Sequence, residues 1–118
     1  MRFVWVGLGG ALGSVIRYSI GLTARQSLFP WATLAINLSG SFILGMLLTS
    51  AFGRLPLSVT TPVAVGVLGG FTTFSTFAWE GLVLGRSGRT GLALTYVLLS
   101  VVGGLVAAWL GHVIGRSM

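Results

Sequence analysis

Four apolar runs, each close to the roughly 20 residues that a helix needs to cross a bilayer, occupy nearly the whole chain. They extend over about 3–22, 32–52, 59–84 and 91–114. Only short loops remain between them, so a kinase, nuclease or dehydrogenase domain has no chain to occupy. Charged residues make up 7% of the 118, far below the roughly 25% of soluble domains. An all-α membrane protein is expected, a single four-helix transmembrane domain over 1–118, multi-pass in a plasma or inner cell membrane, and not an enzyme. The first run has Arg17 and Tyr18 inside it and no small-residue cleavage pattern after it, so a retained helix is expected rather than a signal peptide. Cysteine is absent, which removes disulfides, thiol catalysis and cysteine metal sites.

The net charge of +6 comes from arginines scattered singly at loops and helix ends. That scatter argues against nucleic acid, which needs a clustered basic face, and suits anchoring to lipid headgroups. If the helices alternate in direction, Arg2, Arg54 and Arg116 share one side of the bilayer and Arg25, Arg86 and Arg89 the other. Orientation follows an excess of Lys and Arg on the cytoplasmic side, and a balanced chain has no such excess. Dual topology is the natural expectation, and a chain that inserts both ways can pair as an antiparallel homodimer whose two copies present self-complementary surfaces; the alternative is that the balance is an accident of a short sequence.

The third run is interrupted by Gly-Gly-Phe-Thr-Thr-Phe-Ser-Thr-Phe at 69–77. Loosened backbone is tolerated at membrane depth only where protein covers it or where it lines a wet cavity. The spacing therefore predicts a broken third helix, with the break near 69–76 and close to the bilayer midplane, where transporters place ion and substrate sites. Gly69 and Gly70 permit unusual dihedrals, and a break frees carbonyls for a cation and N–H groups for an anion. Thr72, Thr73, Ser75 and Thr76 add hydroxyls. Phe74 and Phe77 share a helical face, and two rings turned edge-on offer positive edges to an anion without trapping it. The same rings can equally serve as core filler.

Arg17, Asn37, Glu80 and Tyr96 fall at one depth in four alternating helices, which points to a wet vestibule on that side, with Arg17 and Glu80 a natural pair. Thr33, Asn37 and Ser41 recur every four residues on the second helix, as do Tyr96 and Ser100 on the fourth. Such stripes can replace an anion's hydration step by step or glue helices together. Gly9, Gly13 and Gly21, then Gly40, Ser41 and Gly45, and Gly103 and Gly104 read as close-packing positions. His112 is a lone interfacial residue. Glu80 is the only acid in the chain, and its place near a helix end disfavours a small multidrug-type proton-coupled exporter. A non-transporting membrane subunit is the other alternative, disfavoured because packing alone does not require a helix break. Residue chemistry thus reaches a small oligomeric membrane protein with a midplane pathway for an anion.

Three motifs carry a resemblance over essentially the whole chain: Gly-Gly-x-Thr-Thr-Phe-Ser-Thr-Phe at 69–77, Gly-x-x-x-Arg-Tyr at 13–18 and Asn-x-x-Gly-Ser-Phe at 37–42. The sequence resembles the Fluc/CrcB family of fluoride channels. The resemblance implies an antiparallel dual-topology homodimer with two fluoride pores, passive fluoride export that lowers cytoplasmic fluoride, and a structural sodium ion at the centre. By motif position, backbone carbonyls of Gly69 and Thr72 would hold the sodium. Phe74 and Phe77 would be the fluoride-contacting rings and Asn37 a pore donor. Ser75 and Thr76 would lie at the pore or vestibule, Thr33, Tyr96 and Ser100 along the polar track, and Arg17 and Glu80 would be the membrane-embedded charges. The family often continues the fourth-helix hydroxyl track one turn past Ser100, where this chain has Gly104.

Overall fold

The computed structural model describes residues 1–118, and all regular structure in it is helical. Helix α1 spans Arg2–Thr23 and α2 spans Trp31–Thr49, followed by a 3-10 turn at Ala51–Arg54. The third span is composite: α3 at Leu57–Thr61, a π-helical turn at Pro62–Val67, α4 at Leu68–Phe71 and α5 at Phe74–Arg86. Helix α6 covers Thr90–Gly115. Four helical spans are long and apolar enough to cross a membrane, the third counted over Leu57–Arg86. At 1.5 Å per residue, α1 alone reaches about 33 Å, enough for a hydrocarbon core of about 30 Å.

Glycine sets how these spans pack. The only buried residues of α1 are Gly9 and Gly13. A Cβ at Gly9 would sit 2.5 Å from the Pro62 carbonyl oxygen, and one at Gly13 would fall on the Val67 carbonyl. The third span therefore lies backbone to backbone against α1. Helices α2 and α6 meet in the same way through Gly45, Gly111 and Gly115, each facing a backbone carbonyl of the opposite helix. Small residues are needed here because lipid gives helices no hydrophobic reason to associate, leaving close van der Waals contact to do it.

The irregularities of the third span have local causes. Pro62 has no N–H, and a proline ring clashes with a carbonyl four residues earlier in a regular helix, so the helical register slips at Pro62–Val67. The Leu68 N–H consequently reaches back five residues to the Val63 carbonyl. Helix then resumes through Gly69 and Gly70. The loosened stretch expected over 69–76 is narrower in the structure: only Thr72 and Thr73 leave helical geometry, at φ −83, ψ 156 and φ −148, ψ 121. Neither Gly69 nor Gly70 uses the left-handed freedom that glycine permits; the one positive φ in the chain is at Gly88. Gly70 instead gives room to Gly10, whose carbonyl oxygen a Cβ would approach to 2.5 Å.

The second span also ends earlier than expected, at Thr49 rather than near 52. The Ser50 hydroxyl accepts the Phe52 N–H at 3.3 Å and turns the chain into the 3-10 segment. Inside, Leu34, Leu84 and Tyr96 form a small core edged by Phe29, Leu38 and Phe77. Only 14 of 118 residues are buried, so nearly all the apolar surface faces outward. That surface has to be covered by lipid or by another chain.

Candidate functional site

Around Thr72 and Thr73 several backbone groups freed by the interruption find side-chain partners. In a continuous helix the Thr73 N–H would bond the Gly69 carbonyl; here it donates to Asn37 Oδ1 at 2.8 Å. Asn37 Nδ2 returns a bond to the Thr73 carbonyl at 2.9 Å, so the side-chain amide pairs with one residue's backbone as a neighbouring strand would. The Gly70 carbonyl, which would bond the Phe74 N–H, accepts from Arg17 Nε at 3.0 Å. The Thr76 N–H turns to the Thr73 hydroxyl at 3.2 Å, the side-chain cap that starts α5. These diversions leave the carbonyls of Gly69 and Thr72 without their helical partners. Thr72 closes the preceding turn, its N–H and hydroxyl both bonding the Leu68 carbonyl at 3.0 and 2.9 Å.

The interruption opens onto a groove of about 340 Å³, lined among others by Asn37, Gly69, Thr72, Phe74, Phe77 and Ser100. Phe74 stands at its edge, 79% exposed. Its ring meets Phe77 edge-on, with centroids 5.8 Å apart at 61°, and Phe77 meets Tyr96 at 5.3 Å and 64°. Tyr96 is fully buried, and Phe29 packs on its other side at 5.5 Å. The hydroxyls of Tyr96 and Ser100 are buried and make no hydrogen bond within the chain. A Cβ added at Gly69 would touch nothing, because that position looks out across the open groove.

A second chamber lies toward the ends of α1 and α5. Thr33 and Thr76 line cavities of about 270 and 430 Å³ there, the first with Arg17 and Arg25 and the second with Glu80 and Arg89. Thr33, itself buried, donates its hydroxyl to Glu80 Oε1 at 2.6 Å. The expected pairing of Arg17 with Glu80 is corrected on this point. Arg17 turns to the Gly70 carbonyl 53 residues away and Glu80 to Thr33, because each finds a partner on the helix it packs against. The Thr33, Asn37, Ser41 stripe keeps one face, but its members do different things. Ser41 bonds back to the Asn37 carbonyl at 2.7 Å while lining the groove. Ser75 is exposed, 3.5 Å from the Thr73 hydroxyl, and lines neither chamber.

The structure thus brings Asn37, Gly69, Thr72, Phe74, Phe77 and Ser100 to one groove and Arg17, Thr33, Thr76 and Glu80 to the neighbouring chamber, with Tyr96 in the core beside both. Sequence reasoning missed Thr73 as the organising residue. The signal was present: a threonine three residues before Thr76 and directly before a helical run is an N-cap pattern.

Taken together, the fold and site define a multi-pass membrane protein whose polar groups converge on an intramembrane groove rather than on a catalytic constellation. The family model described as CrcB-like protein, Camphor Resistance (CrcB), matches residues 4–112, and the chain belongs to that family. A protein of Magnetococcus marinus named fluoride-specific ion channel FluC is 48% identical over 121 residues, covering 98% of each chain. A Thermus thermophilus protein of the same name is 46% identical over 99% of this chain and 95% of its own. Another from Acidobacterium capsulatum is 41% identical over 100% and 98%.

Proposed function

We propose that the chain is a fluoride channel that lets fluoride leave the cell passively, lowering its cytoplasmic concentration. The observation that carries this reading is the full-length similarity to proteins named fluoride-specific ion channels, and the groove supplies fitting chemistry. Small anions need hydrogen-bond donors and positive ring edges, and the groove has the Asn37 amide and the Phe74 and Phe77 rings, with the Ser100 hydroxyl buried in its wall. A buried hydroxyl left unpaired costs about 1–3 kcal/mol, so the lone Tyr96 and Ser100 hydroxyls favour a pathway that brings them water or an ion. No carboxylate lines the groove to repel an anion.

Assembly as an antiparallel dual-topology homodimer completes the proposal. Its supports are the three-against-three arginine balance across the spans and the outward-facing groove with Phe74 at its edge. The third-span interruption is then a functional device at the dimer centre. Carbonyls of Gly69 and Thr72, deprived of helical partners, are hard neutral oxygen donors, and two copies would offer four of them to one sodium ion. Such an ion fits the donor set and would tie the two interruptions together electrostatically. No carboxylate is needed for that role, because sodium carries a single charge.

The test is fluoride efflux from liposomes holding the purified protein. Channel flux is electrogenic, so efflux should stall until a potassium ionophore shunts the voltage. Fluoride-coupled proton movement that persists with no shunt would replace the channel with an electroneutral carrier.

A further inference from the structure

The side-chain amide of Asn37 has two ends of opposite polarity, and which end sits where decides what the groove offers an ion. A free asparagine could rotate by half a turn and exchange them. Here the backbone of Thr73 forbids it. The Thr73 N–H can only donate and meets Oδ1 at 2.8 Å, while the Thr73 carbonyl can only accept and meets Nδ2 at 2.9 Å. A rotated amide would forfeit both bonds and set hydrogen against hydrogen and oxygen against oxygen. The orientation is therefore dictated by the main chain rather than chosen between near-equal alternatives.

The direction of the chain then places the two ends. The Thr73 carbonyl carbon is bonded to Phe74 and the Thr73 nitrogen to Thr72, so Nδ2 lies at the Phe74 end and Oδ1 at the Thr72 end. One Nδ2 hydrogen is committed to the Thr73 carbonyl; the other has no hydrogen-bond partner in the chain, and Asn37 lines the same groove as Phe74 and Phe77. Thr73 is in turn immobilised by its own contacts. Its hydroxyl accepts the Thr76 N–H at 3.2 Å and donates to the Thr76 hydroxyl at 3.1 Å, which ties the peptide to the first turn of α5.

We propose that the Thr73 peptide is a positioning element that locks the Asn37 amide in one orientation, so that a hydrogen-bond donor is presented to an anion at the Phe74 end of the groove. The proposal rests on the fluoride-channel reading above and adds to it the group that orients the donor. Its consequence is polarity selection: an acceptor cannot swing into the donor's place. The interruption at Thr72 and Thr73 has the further use of exposing, to a side chain, the N–H and carbonyl that a continuous helix would have consumed.

Asn37 is the only asparagine in the chain, which gives a direct measurement. The full-length protein in detergent, labelled with 15N at asparagine and glutamine and 13C at threonine carbonyls, should show a scalar coupling across the hydrogen bond between Asn37 Nδ2 and the Thr73 carbonyl carbon. Two distinct Nδ2 proton signals are expected, one of them protected from water exchange relative to the exposed amide of Gln26, the only glutamine. Titration with sodium fluoride should move the unprotected proton and leave the protected one in place. Absence of the coupling, or two Nδ2 protons that exchange as fast as those of Gln26, overturns the lock. Asn37→Asp keeps the oxygen facing the Thr73 N–H and loses both Nδ2 hydrogens; its fluoride efflux should fall at least tenfold in dimers that remain intact. Asn37→Asp flux equal to that of the unaltered protein would overturn the positioning role even with the coupling present. Absent fluoride flux in the unaltered protein would instead refute the channel reading, since the coupling is read without fluoride.

Discussion

Replacement of Phe74 by isoleucine separates an ion-contacting ring from a packing ring. Within the protomer Phe74 is 79% exposed and makes a single aromatic contact, the edge-on meeting with Phe77 at 5.8 Å. One such pair contributes about 0.5–1.5 kcal/mol beyond area burial, so Phe74→Ile should lower protomer stability by no more than that. Phe77 differs, because it also meets Tyr96 at 5.3 Å and borders the Leu34, Leu84 and Tyr96 core. Losing two pairs puts Phe77→Ile at about 1–3 kcal/mol. Flux should order the variants otherwise. If each ring edge stabilises the passing anion by about 1.4 kcal/mol at the narrowest point, removing either slows efflux about tenfold. The two assays are ionophore-shunted fluoride efflux from liposomes and thermal unfolding, on dimers verified by size-exclusion chromatography. Phe74→Ile with undiminished flux would return the ring to packing and refute its contact with the ion. A Phe74→Ile variant as destabilised as Phe77→Ile would refute the stability argument.

Gly111→Val places a Cβ on the Phe42 carbonyl and 2.9 Å from the Met46 nitrogen, so α2 and α6 must part. Overpacking of this kind costs about 1–3 kcal/mol, and an unchanged unfolding midpoint would contradict it. A Cβ at Gly69 meets nothing within 4 Å beyond its own helical turn, so for Gly69→Val circular dichroism should show full helicity while size-exclusion chromatography shows a weakened dimer; lost helicity would overturn the outward placement of Gly69. Thr72→Ser should keep sodium binding, read by sodium-dependent stabilisation of the dimer, since the proposed ligand is the backbone carbonyl. A tag at the C-terminus should be found on both sides of one membrane preparation, and a single orientation in every cell would end the dual-topology proposal.

The first and fourth spans were legible in the sequence almost to the residue, 3–22 against Arg2–Thr23 and 91–114 against Thr90–Gly115, because apolar length is a local property of the chain; the second, expected to reach 52, ends at Thr49. Much of the groove was legible as well. Periodicity put Asn37 and Ser41 on one helix face, and Phe74 and Phe77 on another. What the glycines of the third span do was misread, since a glycine that needs a special dihedral and one that makes room for a neighbour look identical until the neighbour is known. Gly10 is that neighbour for Gly70, and it lies 60 residues earlier.

Partner choice was likewise closed to sequence reasoning. Arg17 could have met Glu80, a lipid headgroup or a backbone carbonyl, and all three satisfy a half-buried guanidinium; packing of α1 on α4 selected the Gly70 carbonyl. Asn37 reads as a donor from its chemistry, but the Thr73 peptide 36 residues away decides how its amide points. Hydropathy and periodicity are summed along neighbouring residues and so survive in the linear chain. Hydrogen-bond pairing depends on which helix backbones come within about 3 Å of a given side chain, and that distance exists only once the helices have packed.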